Sequence, residues 1–185
     1  MSDQESLITI NDLPMSFTVK YLGSHEAKGL WGIKYTRRPV DILISLTKNN
    51  PSAYNLPLVN AQVSEEGFSI TEITKEGIQG EVNKFPVEII SYGVQDLVYT
   101  RVFSIITVQD QSLKCATPFM CHSFVCDSRD QARRLTYALA AVFQDYGRKI
   151  KEEAKATGMP IKRLTIDLRT PEEQAEGLDE KETDA

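Results

Sequence analysis

The longest regular pattern in the chain runs from Ser128 to Glu153, SRDQARRLTYALAAVFQDYGRKIKEE. Apolar side chains recur at Ala132, Leu135, Leu139, Val142, Phe143, Tyr146 and Ile150, the three-and-four spacing that lines one face of a helix. Ser128, followed three residues later by Gln131, is a capping-box start. Upstream the period changes from helical to alternating. In Ser16–Ser24, Phe17, Val19 and Tyr21 fall on one face and Thr18, Lys20 and Leu22 on the other, which predicts a strand ended by Gly23. Further strands are predicted at 57–64 and 68–73, joined by the turn Glu65-Glu66-Gly67, and then at 79–84, 85–93, 99–108 and 118–126. Pro86, unable to donate into a ladder, marks the 85–93 run as an edge strand. Residues 25–36 and the Asn49-Asn50-Pro51-Ser52 stretch read as loops. Between these loops Pro39 suits a first helical turn with Thr36 as cap, and Val40, Leu43, Ile44 and Leu46 then trace a short helix.

About seven short antiparallel strands, one inserted helix and one long closing helix define an α+β fold, with the strands in a β-sandwich or partly open barrel. A single long helix after a run of strands must bury its stripe against the sheet. The 185 residues, 41% apolar and 25% charged, fit one soluble domain with a sizeable core. Residues 1–15 read as a flexible lead-in in which Leu7–Leu13 has the composition of a short strand. The domain proper is placed at 16–156, with a C-terminal extension at 157–185. Within that extension Pro160–Leu168 is a further strand candidate able to dock back onto the domain.

Charge changes the picture only at the end of the chain. The net charge is −5, but residues 170–185 carry seven acidic side chains against Lys181. That leaves 20 basic against 19 acidic in the first 169, a balance of +1. The acidity is a tail, expected to be disordered from about residue 170, and a near-neutral body is not built to hold nucleic acid. No apolar run approaches the ~20 residues of a bilayer span, and the acidic, polar start lacks the order of a signal peptide. Cys115, Cys121 and Cys126 form no disulfide framework and read as reduced thiols, which makes the cytoplasm the expected compartment.

Catalytic and metal chemistry find little support. The chain has two histidines, His25 and His122. A Cys121/His122/Cys126 metal site would need ligands from both faces of one strand and lacks a fourth partner, so these read as ordinary strand residues. Phosphate-loop, nucleophile-elbow and zinc-helix signatures are missing, and no catalytic residue, metal or cofactor is assigned. Asp96 and Asp110 follow strands and read as turn residues.

Six segments in order nevertheless carry a resemblance. They are Phe17-Thr-Val-Lys-Tyr-Leu-Gly23, Arg38-Pro-Val-Asp-Ile-Leu43, Val87-Glu-Ile-Ile-Ser-Tyr-Gly-Val-Gln-Asp96, Phe103-Ser-Ile-Ile106, Cys121-His-Ser-Phe-Val-Cys126 and Ala132–Phe143. Together they span roughly residues 16–155, and the chain resembles the phosphotyrosine-binding, or phosphotyrosine-interaction, domains, which share the pleckstrin-homology superfold. It is most similar to the short members that consist of this domain and little else, and departs from the better-known ones in the shorter segment Ser24–Tyr35.

The resemblance implies a non-enzymatic adaptor in signalling or endocytosis. It would bind Asn-Pro-x-Tyr-like motifs in cytoplasmic tails or in signalling and endocytic proteins. A partner's extended segment would add antiparallel to an edge strand, here Phe85–Val94, with the closing helix as the other wall. Asn then Pro is favoured chemistry for the type I turn that follows. Ile89, Ile90, Ser91, Tyr92 and Gly93 match the ligand-pairing strand, Phe143 matches the helix phenylalanine that contacts the ligand, and Tyr146 lies at the groove edge. Half of such a strand must face the core, and Phe143 belongs to the helix stripe, so core packing is the competing role for each. Arg37, Arg38, Arg101 and Arg129 sit in no motif specific for a phosphoryl group, so recognition is expected to be phosphate-independent. Two alternatives stand beside this reading. One is a membrane-peripheral module binding phosphoinositide headgroups through Lys34, Arg37 and Arg38 near Lys20 and Lys28; the other is a scaffold using a different surface.

Overall fold

In the computed structural model, residues 8–29, 32–49, 56–73, 79–108, 119–157, 165–167, 171 and 174 are described. Seven strands are antiparallel: β1 (Met15–Glu26), β2 (Leu58–Ser64), β3 (Gly67–Ile73), β4 (Gln79–Pro86), β5 (Ile90–Gln95), β6 (Val102–Val108) and β7 (Phe119–Val125). Two α-helices accompany them, α1 (Lys34–Asn49) between β1 and β2 and α2 (Arg129–Thr157) after β7. An eighth strand, β8 (Thr165–Asp167), follows α2 and pairs parallel to β5. The strand order is β4-β3-β2-β1-β7-β6-β5-β8, an unclosed sheet whose ends are β4 and β8. This is the α+β architecture that the pattern predicts and the pleckstrin-like superfold that the resemblance implies, with one strand more.

The sheet buries its inner face along β1–β3 and β5–β7, and its outer face mainly in the β5–β7 half. On the inner face Phe17 and Val19 of β1, Val59, Ala61 and Val63 of β2, and Phe68 and Ile70 of β3 alternate inward. They meet Phe103, Ile105 and Phe124 from the other half of the sheet. Phe68 is the hinge of this layer, edge-on to Phe124 at 5.3 Å and tilted against Phe103 at 6.4 Å. The α2 stripe closes the open end. Ala132, Leu135, Leu139, Val142 and Phe143 all join this cluster, and Tyr146 packs at its margin. Ser128 caps the helix, Gln131 N–H donating to its Oγ at 3.0 Å; the return bond of a capping box is displaced by one residue, Gln131 Oε1 accepting from Asp127 N–H at 2.6 Å.

On the outer face Ala27, Ile33, Tyr92, Val94, Ile106 and Cys121 form a second cluster. Beside it α1 buries Thr36, Pro39, Val40 and Leu43. The helix begins before the position expected from Pro39. Thr36 is not its cap: its hydroxyl donates back to Ile33 O at 3.0 Å, and Arg37 N–H donates to the same carbonyl at 2.9 Å. Pro39 therefore lies inside the helix, on its buried face, where packing offsets the missing N–H. Leu46, from the expected apolar set, is exposed.

Two glycines hold close approaches. Register shifts between Tyr21 and Gly23 where β1 meets β7, and Gly23 takes φ +136° with its Cβ position 3.1 Å from Leu43 Cδ2. That bulge lets β1 accommodate α1, which gives the Tyr-Leu-Gly triplet a structural reason. Gly67, at φ +141°, opens β3 after the two-residue turn Glu65-Glu66. A Cβ there would strike Phe85 O and Val87 N.

The lead-in contains a short 3₁₀ turn, Ile10–Asp12, in place of a strand, with Ile8 and Leu13 against the inner core. Asp96 makes the expected turn, its Oδ2 accepting from Val98 N–H (3.0 Å) and Tyr99 N–H (2.8 Å). Asp110 and Cys115 lie outside the described residues. Of the extension from 170 onward, Pro171 and Gln174 are described, and both are buried.

Candidate functional site

The stretch expected as one edge strand, Phe85–Val94, is three pieces. Pro86 ends β4, Val87–Ile89 forms a 3₁₀ turn, and β5 begins at Ile90. The break has a local cause. Val87 N–H turns away to donate to Glu66 O at 2.9 Å, pinning this corner to the β2–β3 turn. Pro86 does lie on an edge, but it is the β4 edge at the far end of the sheet.

β5 is buried along its whole length. One side pairs with β6 from Ile90↔Thr107 to Gln95↔Phe103. Its other side, predicted to be open, pairs with β8: Tyr92↔Thr165, Gly93↔Ile166 and Val94↔Asp167. β8 lies against α2 as well as β5, so it occupies the groove between them. Gln174 follows, fully buried, and its Nε2 donates to Gln95 O at 2.9 Å. The strand candidate in Pro160–Leu168 thus docks at the position read as the peptide edge.

Each sequence-assigned residue has a definite place. Ile89 is half-buried in the 3₁₀ turn, and Ile90 belongs to the inner core. Ser91 is buried, its Oγ donating to Ile106 O at 3.2 Å, and Tyr92 belongs to the outer cluster. Gly93 lies mid-strand, facing Ile105 on one side and Ile166 on the other in register. Phe143 is 6% exposed within the inner core, yet it also lines a shallow groove with Gln144, Gly147 and Arg148. Tyr146 lines a different depression, with Val87 and Glu88 below it. Phe143 and Tyr146 therefore face separate concavities of α2.

Sequence reasoning missed the β5 terminus. Gln95 is fully buried, and its Nε2 donates to Thr100 O (2.8 Å) and Arg129 O (3.3 Å), tying β5 to the first turn of α2. Asp96, 1% exposed, accepts from Arg37 Nη1 at 2.6 Å, and Arg37 Nη2 donates to Asp41 at 2.5 Å. Burial pulls the Arg37 pKa down, but the Asp96 charge and the bonds to both carboxylates outweigh it and hold the guanidinium firmly charged. Of the three residues assigned to phosphate or lipid, Arg37 is thus committed to the fold. Lys34 Nζ lies 5.0 Å from the Tyr35 ring centroid, and Arg38 is exposed. Of the other arginines, Arg101 Nε donates to Cys126 O at 2.9 Å. Gln95 ends an otherwise buried strand and Asp96 beside it reads as an ordinary turn residue, so neither gives a periodic signal of burial, which is why this node was not legible.

β7 and the residue that follows it account for Cys121, His122 and Cys126. Cys121 lies in the outer cluster and Cys126 in the inner one, and burial pushes their thiols up to about 11 and about 12. Such thiols are unreactive at neutral pH. His122 bridges Tyr21 OH (Nδ1, 3.1 Å) and Thr107 Oγ1 (Nε2, 3.2 Å), and burial lowers its pKa to about 4. A neutral imidazole suits both bonds, one nitrogen donating and the other accepting.

No family profile matches the chain. A curated relative, the low density lipoprotein receptor adapter protein 1 of Mus musculus, is 26% identical over 132 residues. The match covers 70% of this chain but only 39% of that protein's length. Among solved structures, the C-terminal phosphotyrosine interaction domain of mouse APBB2 superposes with a TM-score of 0.55 at 22% identity, covering 70% of this chain and 85% of that one. Both are named for interaction and adaptation, not for catalysis. No described helix is long and apolar enough to cross a membrane. The chain has the fold of a phosphotyrosine interaction domain and resembles that family in sequence.

Proposed function

We propose that this chain is a non-enzymatic, cytoplasmic adaptor domain. It recognises extended Asn-Pro-x-Tyr-like peptides by strand addition to β5 beside α2, without requiring a phosphate. The observation that carries this reading is that the groove already receives a strand: β8 makes main-chain pairs with Tyr92, Gly93 and Val94 there. Main-chain pairing is indifferent to side-chain identity, so an edge that takes one extended segment is chemically able to take another. The relative named as a receptor adapter supports the same class of role.

Phosphate independence rests on Arg37, the best-positioned cation near the end of β5, being neutralised by Asp96 and Asp41. Charge-assisted phosphate binding needs an arginine fork that is free. The same pairing weakens a headgroup site built on Lys34, Arg37 and Arg38. Calorimetric titration with Asn-Pro-x-Tyr peptides, phosphorylated and not, tests the reading. Saturable binding with a Kd on the order of micromolar, equal for the two peptides and lost when Asn becomes Ala, is expected. Binding of the phosphorylated peptide alone would overturn phosphate independence, and equal binding of the Ala control would overturn the motif.

A further inference from the structure

We propose that β8, with Gln174 downstream of it, is a built-in competitor for the peptide groove, so that the chain regulates its own binding edge. This rests on the peptide reading above and concerns how that site is controlled. A strand has two hydrogen-bonding edges, and β5 gives one to β6 from Ile90 to Gln95. The other is taken by β8 at Tyr92, Gly93 and Val94. A partner strand and β8 therefore cannot occupy β5 together.

The cis strand is built to hold the edge without sealing it. It pairs through only three residues, and it runs parallel, the orientation that is slightly less stable per residue. An antiparallel ligand reaching along the full strand forms more and better-aligned bonds. What compensates β8 is attachment. It follows the end of α2 at Thr157 after residues 158–164, and a short tether gives a local concentration on the order of millimolar. A second clamp lies downstream, where the Gln174 side chain reaches Gln95 O. Gln95 also binds the first turn of α2 through Nε2, so the clamp engages the residue that sets the spacing between strand and helix. The competitor's grip is thus coupled to the groove's own frame.

Occupancy lowers the apparent affinity for any ligand by the fraction of molecules with the groove free. The test is titration of an unphosphorylated Asn-Pro-x-Tyr peptide into the full chain and into two variants of it. Ile166→Pro/Asp167→Pro removes adjacent N–H groups, so at least one ladder bond is lost whichever of them faces β5. Gln174→Ala removes the clamp alone and serves as the milder variant if the double substitution impairs folding, which circular dichroism melting would reveal. Peptide affinity is expected to rise about tenfold in the double variant and less in Gln174→Ala, in step with the released fraction. Equal affinity in all three proteins would overturn self-competition and leave the peptide reading standing. Weaker binding in the variants would also overturn it, because β8 would then be part of the ligand surface. Absence of binding by every protein up to millimolar peptide would overturn the peptide reading, and self-competition with it.

Discussion

Gly67, Arg37 and His122 show how single positions hold the site's surroundings in place. At Gly67 a positive φ coincides with the backbone of Phe85 and Val87 passing where a Cβ would stand. Gly67→Ala is therefore expected to lose about 2 kcal/mol or more, measured by urea unfolding. Removing the Arg37 guanidinium leaves Asp96, 1% exposed, without its charge partner. Arg37→Ala should cost about 3 kcal/mol and lower the melting temperature accordingly. His122 gives a pH signature. Its folded pKa of about 4 lies below the ordinary 6.5, so the unfolded chain binds more protons between those values. Its contribution is fully present above pH 6.5, falls as the pH drops, and is gone below about 4, a loss of about 3 kcal/mol. Stability measured against pH in wild type and His122→Gln should converge through that window. Of the two competing roles read for Phe143, core packing is the one its position displays. Being 6% exposed in the core, it makes Phe143→Ala a stability variant costing about 3 kcal/mol or more, so Phe143→Leu is the cleaner probe of binding.

At the scale of elements, periodicity told most where one face is buried and the other wet. The stripe of α2, the Ser128 cap, the β2–β3 hairpin and the inward Phe17 and Val19 of β1 appear where the pattern puts them, although β1 runs past Gly23, its expected end, to Glu26 and buries Leu22 as well. Ser128→Ala should cost about 1 kcal/mol, seen in thermal unfolding. The pattern failed where the backbone, not burial, decides. Residues 85–94 read as one apolar strand, yet Pro86 and the bond from Val87 N–H to Glu66 O break it into a 3₁₀ turn. Apolar content is the same either way. The α1 start was misplaced for a similar reason: Pro39 fits a first turn by its ring, but tertiary packing accepts it deeper in the helix. The strand β8 was legible as a candidate but not as a partner of β5, since three residues carry no register information.

For the whole molecule, the unclosed sheet determines where a partner can add. Its ends are β4 and β8, and β8 is itself an added segment resting between β5 and α2. The composition had pointed to a near-neutral body with an acidic end, which excludes little beyond nucleic acid. Topology narrows the candidates without choosing between them: β4 and β5 each lack a second antiparallel neighbour, and it is the resemblance that favours β5 as the proposed binding edge. The most direct measurement is amide-resolved NMR of the full chain during addition of an unphosphorylated Asn-Pro-x-Tyr peptide. Shifts should centre on Tyr92, Gly93 and Val94, with residues 165–167 moving in concert as β8 leaves. Shifts confined to β4, or to the Lys34–Arg38 surface with β5 unmoved, would contradict the site.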